Sequence, residues 1–257
     1  MPSTTPPARH PPRPLNRAHM PEWFEEWFND EYLALYPHRD EADAEQLVAL
    51  LRQHVGWARG WRVLDVACGP GRHARALEAA GARCIGLDLS KALLLRARTL
   101  TAAPLIRADM RRIPVRPRSM DLTLNLFTSF GYFEEDGEHQ AALAEMVATV
   151  RRGGWFAMDF LNAARVKATL VTSERATLGG TEVRITRDLI GGERFVRKRM
   201  ETADGRMWVE RVRLFRPEEL EAMLAATGIT VAARFGDYGG GPMTDASPRA
   251  ILIGRAA

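Results

Sequence analysis

The run Val63-Leu64-Asp65-Val66-Ala67-Cys68-Gly69-Pro70-Gly71-Arg72-His73-Ala74 constrains the fold more than any other part of the chain. A short apolar segment ends on a carboxylate, passes through two glycines and enters residues with helical character. Glycine permits a tight turn and lets a ligand approach bare backbone. A buried strand that turns this sharply into a helix is the opening unit of a parallel sheet with helices packed on it.

The chain beyond Ala74 repeats that unit. Strands are expected at Arg62 to Val66, Arg83 to Leu87, Leu105 to Ala108, Leu122 to Phe127 and Trp155 to Phe160. Helices are expected from about Arg72 to Ala80, from Ser90 to about Leu100 and from about Gly137 to Val150. Gly81 and Gly153-Gly154 serve as stops and Ser90 as a cap. With closing strands at Ile229 to Phe235 and Ala250 to Ile253, the pattern predicts an α/β fold. It is a doubly wound, Rossmann-like, seven-stranded sheet. An antiparallel β-meander is inserted after strand five, over 174–216. Its strands are Glu182 to Ile190, Arg194 to Thr202 and Met207 to Phe215, with two-residue turns at Gly191-Gly192 and Asp204-Gly205. Pro217 opens a last helix that stops at Gly228.

Ahead of the first strand, 21–56 reads as a helical N-terminal cap. Trp23, Phe24, Trp27 and Phe28 form an apolar stripe, Tyr32 to Arg39 is a break punctuated by Pro37, and a second helix runs from about Asp40 to His54. Residues 1–20 are rich in Pro and Arg and read as a disordered tail. The remainder, 21–257, is expected to form one domain.

Composition removes several classes. The chain is 46% hydrophobic and 26% charged, an ordinary globular balance. Its net charge of +4 is spread among interleaved acidic and basic residues, so nucleic acid is not an expected partner despite a pI near 9.4. No apolar run is long enough for a membrane helix. Cys68 and Cys84 are the only cysteines, without zinc-ligand spacing, and each lies in or beside a predicted strand. A disulfide framework is not expected, and a cytoplasmic location fits.

The chemistry lies where strands end. Ligands in open α/β sheets bind outside the carboxyl ends of the strands, and three strands here end on Asp65, Asp88 and Asp109. Gly69, Gly71 and Ala74 fit the loose dinucleotide fingerprint, which is weak alone. Asp65 sharpens it. A helix N-terminus favours a pyrophosphate, but a carboxylate at its mouth repels one. The loop therefore suits a ligand with an ammonium or sulfonium there, S-adenosylmethionine (SAM) rather than NAD. Asp88 lies where a carboxylate accepts both ribose hydroxyls, Asp109 is placed to accept from the adenine amino group, and Asp65 faces the methionine end.

These segments resemble the class I SAM-dependent methyltransferases. The first motif is VLDVACGPGRH, with Ala67 where many members have glycine. Ile85-Gly86-Leu87-Asp88-Leu89-Ser90 resembles the ribose motif, Ala108-Asp109-Met110 the adenine motif and Asp121 to Phe127 the fourth. The resemblance implies cofactor contacts at Asp65, Ala67, Gly69, Gly71, Asp88, Leu89, Asp109, Met110, Leu126 and Phe127. It adds Tyr36 and Arg39 from the region that folds over the cofactor in similar enzymes. The block Leu126-Phe127-Thr128-Ser129-Phe130-Gly131-Tyr132 is similar to small-molecule N-methyltransferases, including those acting on amino sugars. Those families also insert antiparallel strands after strand five. In the amino-sugar enzymes a histidine follows that glycine; here the position is Tyr132.

The resemblance implies SAM-dependent methyl transfer to a small-molecule acceptor, at nitrogen before oxygen. Tyr132 and His38 are the leading candidates for a base, with His139 and Asp237 behind them. Phe127, Phe130 and Tyr132 offer faces for the sulfonium. No metal is expected. A basic face carrying Arg197 and Arg199 is expected over the acceptor side, and an exposed edge of the meander is compatible with a homodimer. Two other readings stay open at this point, an NAD(P)-dependent oxidoreductase and a SAM-binding regulator without catalysis.

Overall fold

The computed structural model describes residues 22–36 and 41–257; the expected tail lies outside them. Two short helices come first, α1 (Trp23–Trp27) and α2 (Asp30–Leu35), followed by α3 (Glu41–His54). The alternating unit is β1 (Arg62–Val66), α4 (Arg72–Ala79), β2 (Arg83–Asp88), α5 (Lys91–Ala97), β3 (Leu105–Arg107), β4 (Met120–Asn125), α6 (Asp136–Ala148) and β5 (Val150–Leu161). Then come α7 (Ala163–Ala168) and four strands: β6 (Ser173–Leu178), β7 (Thr181–Ile190), β8 (Phe195–Thr202) and β9 (Met207–Arg213). The chain closes with α8 (Pro217–Ala226), β10 (Ile229–Phe235) and β11 (Arg249–Ala256).

The main sheet has the order β10-β11-β5-β4-β1-β2-β3. Only β11 runs against the rest, antiparallel to both β5 and β10. Alternate residues of one strand feed two cores. Leu64 and Val66 pack toward α6 and α8 with Met146, Met158 and Leu220. Val63 and Leu122 pack toward α3 and α4 with Leu47, Leu51 and Leu77. A strand covered on both faces reads as a continuous apolar run, as Val63 to Val66 does apart from Asp65. The doubly wound sheet and the inserted antiparallel strands are therefore as the sequence predicts.

Several local expectations are corrected. Tyr32 to Leu35 is helical, because Asn29 accepts from the amides of Glu31 (2.8 Å) and Tyr32 (3.2 Å) and caps α2. Strand β5 begins at Val150 and carries Gly153-Gly154 inside it as an irregularity against β4. The meander has a fourth strand, β6, whose sequence Ser-Glu-Arg-Ala-Thr-Leu is mostly exposed and lacks apolar alternation. The two-residue turn lies at Gly179-Gly180, between the paired residues Leu178 and Thr181, with φ of +54° and +83°. Both central residues of such a turn need the left-handed region. Gly191-Gly192 belongs instead to a four-residue connection between paired Ile190 and Phe195. Asp204-Gly205 sits in a link closed by the Thr202 amide on the Arg206 carbonyl, 3.0 Å.

Helices α1 and α2 are too short to be stable alone. Burial holds them. Phe24, Trp27, Tyr32 and Leu35 are at most 7% exposed, and each such side chain contributes about 1.5–3 kcal/mol. Trp27, Tyr32 and Leu35 pack against Val183, Ile185 and Met200 of the meander and Leu93 of α5. The cap is thus the layer between the second sheet and the carboxyl edge of the first. No described helix is long and apolar enough to cross a membrane.

Candidate active site

A cavity of about 940 Å³ opens where the carboxyl ends of β1 to β4 meet α1, α2 and the meander. On the sheet side it is lined by Ala67, Gly69, Asp88, Leu89, Asp109, Met110 and the run Phe127 to Phe133. Trp23, Phe24, Phe28 and Tyr32 close it from the cap. Glu174, Arg187, Val196, Lys198, Glu210 and Val212 close it from the meander.

The glycine turn has two different reasons for its residues. Gly69 faces the cavity with φ +56°, and a Cβ there would meet nothing. Gly71, φ +88°, does not line the cavity; it sits against α5, where a Cβ would come within 3.0 Å of the Ala97 Cβ. Ala67 adopts φ +59°. A left-handed conformation costs an L-residue about 1–2 kcal/mol, so the departure from glycine matters through backbone torsion, not side-chain volume.

The three aspartates differ in state. Asp88 accepts from the Gly69 amide through Oδ2 and the Ser90 amide through Oδ1, both 2.8 Å, which fixes its plane at the rim. Burial raises its carboxyl pKa, against the pull of those bonds. Asp109 is gripped by Arg111, whose Nη2 lies 2.7 Å from Oδ2 and whose amide donates to Oδ1 at 2.7 Å. The same guanidinium holds Glu22 (2.7 Å) and Glu138 (3.0 Å). Asp65 lies one layer below the rim, 1% exposed, and does not itself line the cavity. Its Oδ2 has no hydrogen-bond partner among the described residues. Burial and then the Asp88 charge push its pKa up to about 7, with Arg72 opposing.

Other expected residues fall elsewhere. Leu126 is buried behind the turn and does not line the cavity. Tyr36 is not on the wall either: its hydroxyl lies 2.7 Å from Lys198 Nζ, between the cap and the meander. His38 and Arg39 lie outside the described residues. Tyr132 does line the cavity, with ring centres of Trp23 at 5.0 Å, Phe28 at 5.8 Å and Phe24 at 6.0 Å. His139 is fully buried among Phe130, Phe133 and Phe215, away from the cavity, and burial lowers its pKa. Asp237 accepts from the Gly241 amide at 2.9 Å and organises its own loop. Arg197 and Arg199 pair with Asp188 and do not line the cavity. The pleat puts their neighbours Val196 and Lys198 on its wall instead. Among the described residues no cluster could hold a metal ion.

Sequence reasoning missed a network behind the fourth motif. Asp159, at the end of β5, is fully buried and accepts from the Phe127 amide (2.9 Å), Tyr238 Oη (2.9 Å) and Arg249 Nε (2.7 Å). Arg249 lines the cavity and donates to Thr128 Oγ1 at 3.0 Å. The signal was a carboxylate closing an apolar strand and an arginine opening the last one. Their meeting depends on β5 and β11 being neighbours.

A family model described as a methyltransferase domain matches residues 63–154. The chain is 31% identical over 211 residues to dTDP-3-amino-3,6-dideoxy-alpha-D-glucopyranose N,N-dimethyltransferase of Streptomyces fradiae, covering 76% of this chain and 78% of that protein. It is 29% identical over 208 residues to dTDP-3-amino-3,4,6-trideoxy-alpha-D-glucopyranose N,N-dimethyltransferase of Streptomyces venezuelae, covering 74% and 83%. The structure of the CcbJ methyltransferase from Streptomyces caelestis superposes with a TM-score of 0.77 over 91% of this chain and 99% of that one, at 19% identity, a likeness of fold. The chain belongs to the class I SAM-dependent methyltransferases, in the branch of small-molecule N-methyltransferases. It is an enzyme that uses SAM to methylate a small-molecule acceptor, which removes the oxidoreductase and regulator readings.

Proposed function

We propose that this enzyme methylates the amino nitrogen of a sugar-sized acceptor, with the cofactor held along the rim from Gly69, above Asp65, to Asp109. The observation that carries the cofactor placement is the orphaned Asp65 Oδ2, a buried carboxylate oxygen without a donor beside the glycine turn. Asp65 lies beneath the cavity wall, so the ammonium of the methionine moiety completes it through a bridging water. SAM supplies a methyl carbon on a sulfonium, which an acceptor nitrogen lone pair takes as the carbon–sulfur bond breaks. Asp88 accepts the ribose hydroxyls with an orientation preset by Gly69 and Ser90. Asp109, steadied by Arg111, accepts from the adenine amino group, with Leu89 and Met110 beside the base and Ala67, Gly69 and Phe127 at the methionine end. Trp23, Phe28 and Tyr132 exclude water and offer aromatic faces to a cation. Tyr132 acts in this reading as a wall of the site.

The relatives that match three quarters of the chain act on amino sugars, which supports an amine acceptor. On the meander wall Glu174 pairs with Arg187 and Glu210 with Lys198, so charge there is balanced, and the amine assignment rests on the relatives. The test is calorimetry followed by turnover. SAM and S-adenosylhomocysteine should bind and NAD should not. S-adenosylhomocysteine should then be released in the presence of nucleotide-linked amino sugars but not of catechols or other phenols. Turnover confined to phenols would overturn the nitrogen assignment.

A further inference from the structure

Phe127 and Thr128 follow β4 with φ of +56° and +61°. Two consecutive non-glycine residues in the left-handed region persist only where the surroundings over-determine them. Here one residue does so from the neighbouring strand. The Asp159 carboxylate accepts the Phe127 amide at 2.9 Å, and its main-chain carbonyl accepts the Thr128 amide at 2.9 Å. Arg249, bonded to the same carboxylate, reaches Thr128 Oγ1. The turn faces the cavity at the glycine-loop end, since the Arg72 guanidinium from α4 stacks 4.1 Å from the Phe127 ring centre. Asp109 and Phe133, which share Arg111 (Nη2 2.7 Å from Asp109, guanidinium 4.6 Å from the Phe133 ring centre), form the part of the wall assigned above to adenine.

We propose that Asp159 is a positioning residue: it holds the strained Phe127–Thr128 turn and so shapes the wall around the amino-acid half of the cofactor. It touches neither cofactor nor acceptor. Its effect passes through the turn, and it is therefore selective for one half of the ligand. The inference rests on the cofactor lying along the rim from Gly69 to Asp109, and the probes separate the two.

The experiment measures the affinity of the ligand-free enzyme for S-adenosylhomocysteine and for adenosine, which lacks the amino-acid half. Asp159→Asn keeps the volume but cannot accept from both an amide and a guanidinium. It should weaken S-adenosylhomocysteine about tenfold or more while changing adenosine by less than about twofold. In Asp159→Asn/Thr128→Gly, where residue 128 no longer needs holding, at least half of the lost affinity on a logarithmic scale should return, and the melting temperature should rise above that of Asp159→Asn. If Asp159→Asn does not fold, Tyr238→Phe takes one donor from the same carboxylate and should shift the ratio of the two affinities in the same direction. Equal losses for both probes, no loss for either, or no return in the double variant overturns the proposal. If the unaltered enzyme binds neither probe, it is the cofactor placement that fails.

Discussion

The two walls of the cavity are built by different means. The sheet wall, from Gly69 to Asp109, is made of turns in which a side chain binds backbone a few residues away or on the next strand. Asp88 takes the amides of Gly69 and Ser90. The opposite wall is made of long side chains from the cap and the meander that bind one another. Trp27 Nε1 donates to Glu210 at 2.8 Å, and Lys198 lies between Glu210 and Tyr36. Backbone-anchored groups hold one geometry and suit a ligand that never changes. Side-chain pairs at partly exposed positions contribute little to stability each and can be exchanged without disturbing the sheet. On the placement proposed above, the first wall meets the common cofactor and the second the acceptor, which differs between relatives.

The comparison breaks first at Asp88. Asp88→Ala removes the proposed ribose acceptor and leaves the Gly69 and Ser90 amides unpaired. S-adenosylhomocysteine affinity should fall about 100-fold, close to 2.7 kcal/mol. Asp109→Ala should cost about tenfold or less, because Arg111 keeps Glu22 and Glu138 as partners. Lys198→Met, on the other wall, should change it by less than about twofold. Calorimetry on the three variants orders them, and a Lys198→Met loss as large as that of Asp88→Ala would abolish the distinction.

Asp65 sharpens it through pH. Its carboxyl is raised from 3.8 to about 7, so between those values the folded state binds more protons than the unfolded one. Stability from this group is fullest below pH 4, falls as pH rises through the window and levels off above 7. Asp65→Asn should therefore be more stable than the parent above pH 7 by a few kcal/mol, with the gain vanishing near pH 4. His73, pushed down to about 3 by burial, contributes the opposite slope, present above its unfolded pKa and lost as pH falls. Only the difference between variant and parent isolates Asp65. Parent affinity for S-adenosylhomocysteine should climb from pH 5 to 8, while the variant binds weakly and without that climb. Thermal melts and titrations across the range test both.

The smallest effect is at Ala67. Ala67→Gly relieves the left-handed torsion at the cost of chain entropy and should stabilise by about 0.5–1 kcal/mol, or about 1–4 °C in melting temperature. A lower melting temperature would show that the Ala67 methyl packs usefully.

What could be read from the sequence was what is local. Strand, carboxylate and glycine lie within a few residues of one another at Asp65 to Gly71, Asp88 ends β2 and Asp109 follows β3 closely, so the sheet and its rim were legible. Asp159 was not, because its partners Phe127, Tyr238 and Arg249 come from three distant segments joined only by strand order. Lys198 and Arg197 were exchanged for a related reason. Alternation shows that two faces exist, and only the docking of α1 and α2 on the meander decides which one lines the cavity. β6 was invisible because an edge strand with polar residues on both faces carries no period-two signal.

The Gly179-Gly180 turn bears on how this enzyme can be engineered. Hairpin tips are the usual places to graft a label, splice in a linker or open a chain for permutation. This tip is occupied: a Cβ on Gly179 would overlap the Ala34 carbonyl at the end of α2. A graft there would lift α2 and, with it, the roof of the cavity. The link at Ala203 to Gly205 is exposed, and a Cβ on Gly205 would meet nothing, so a fluorophore or an inserted domain belongs there.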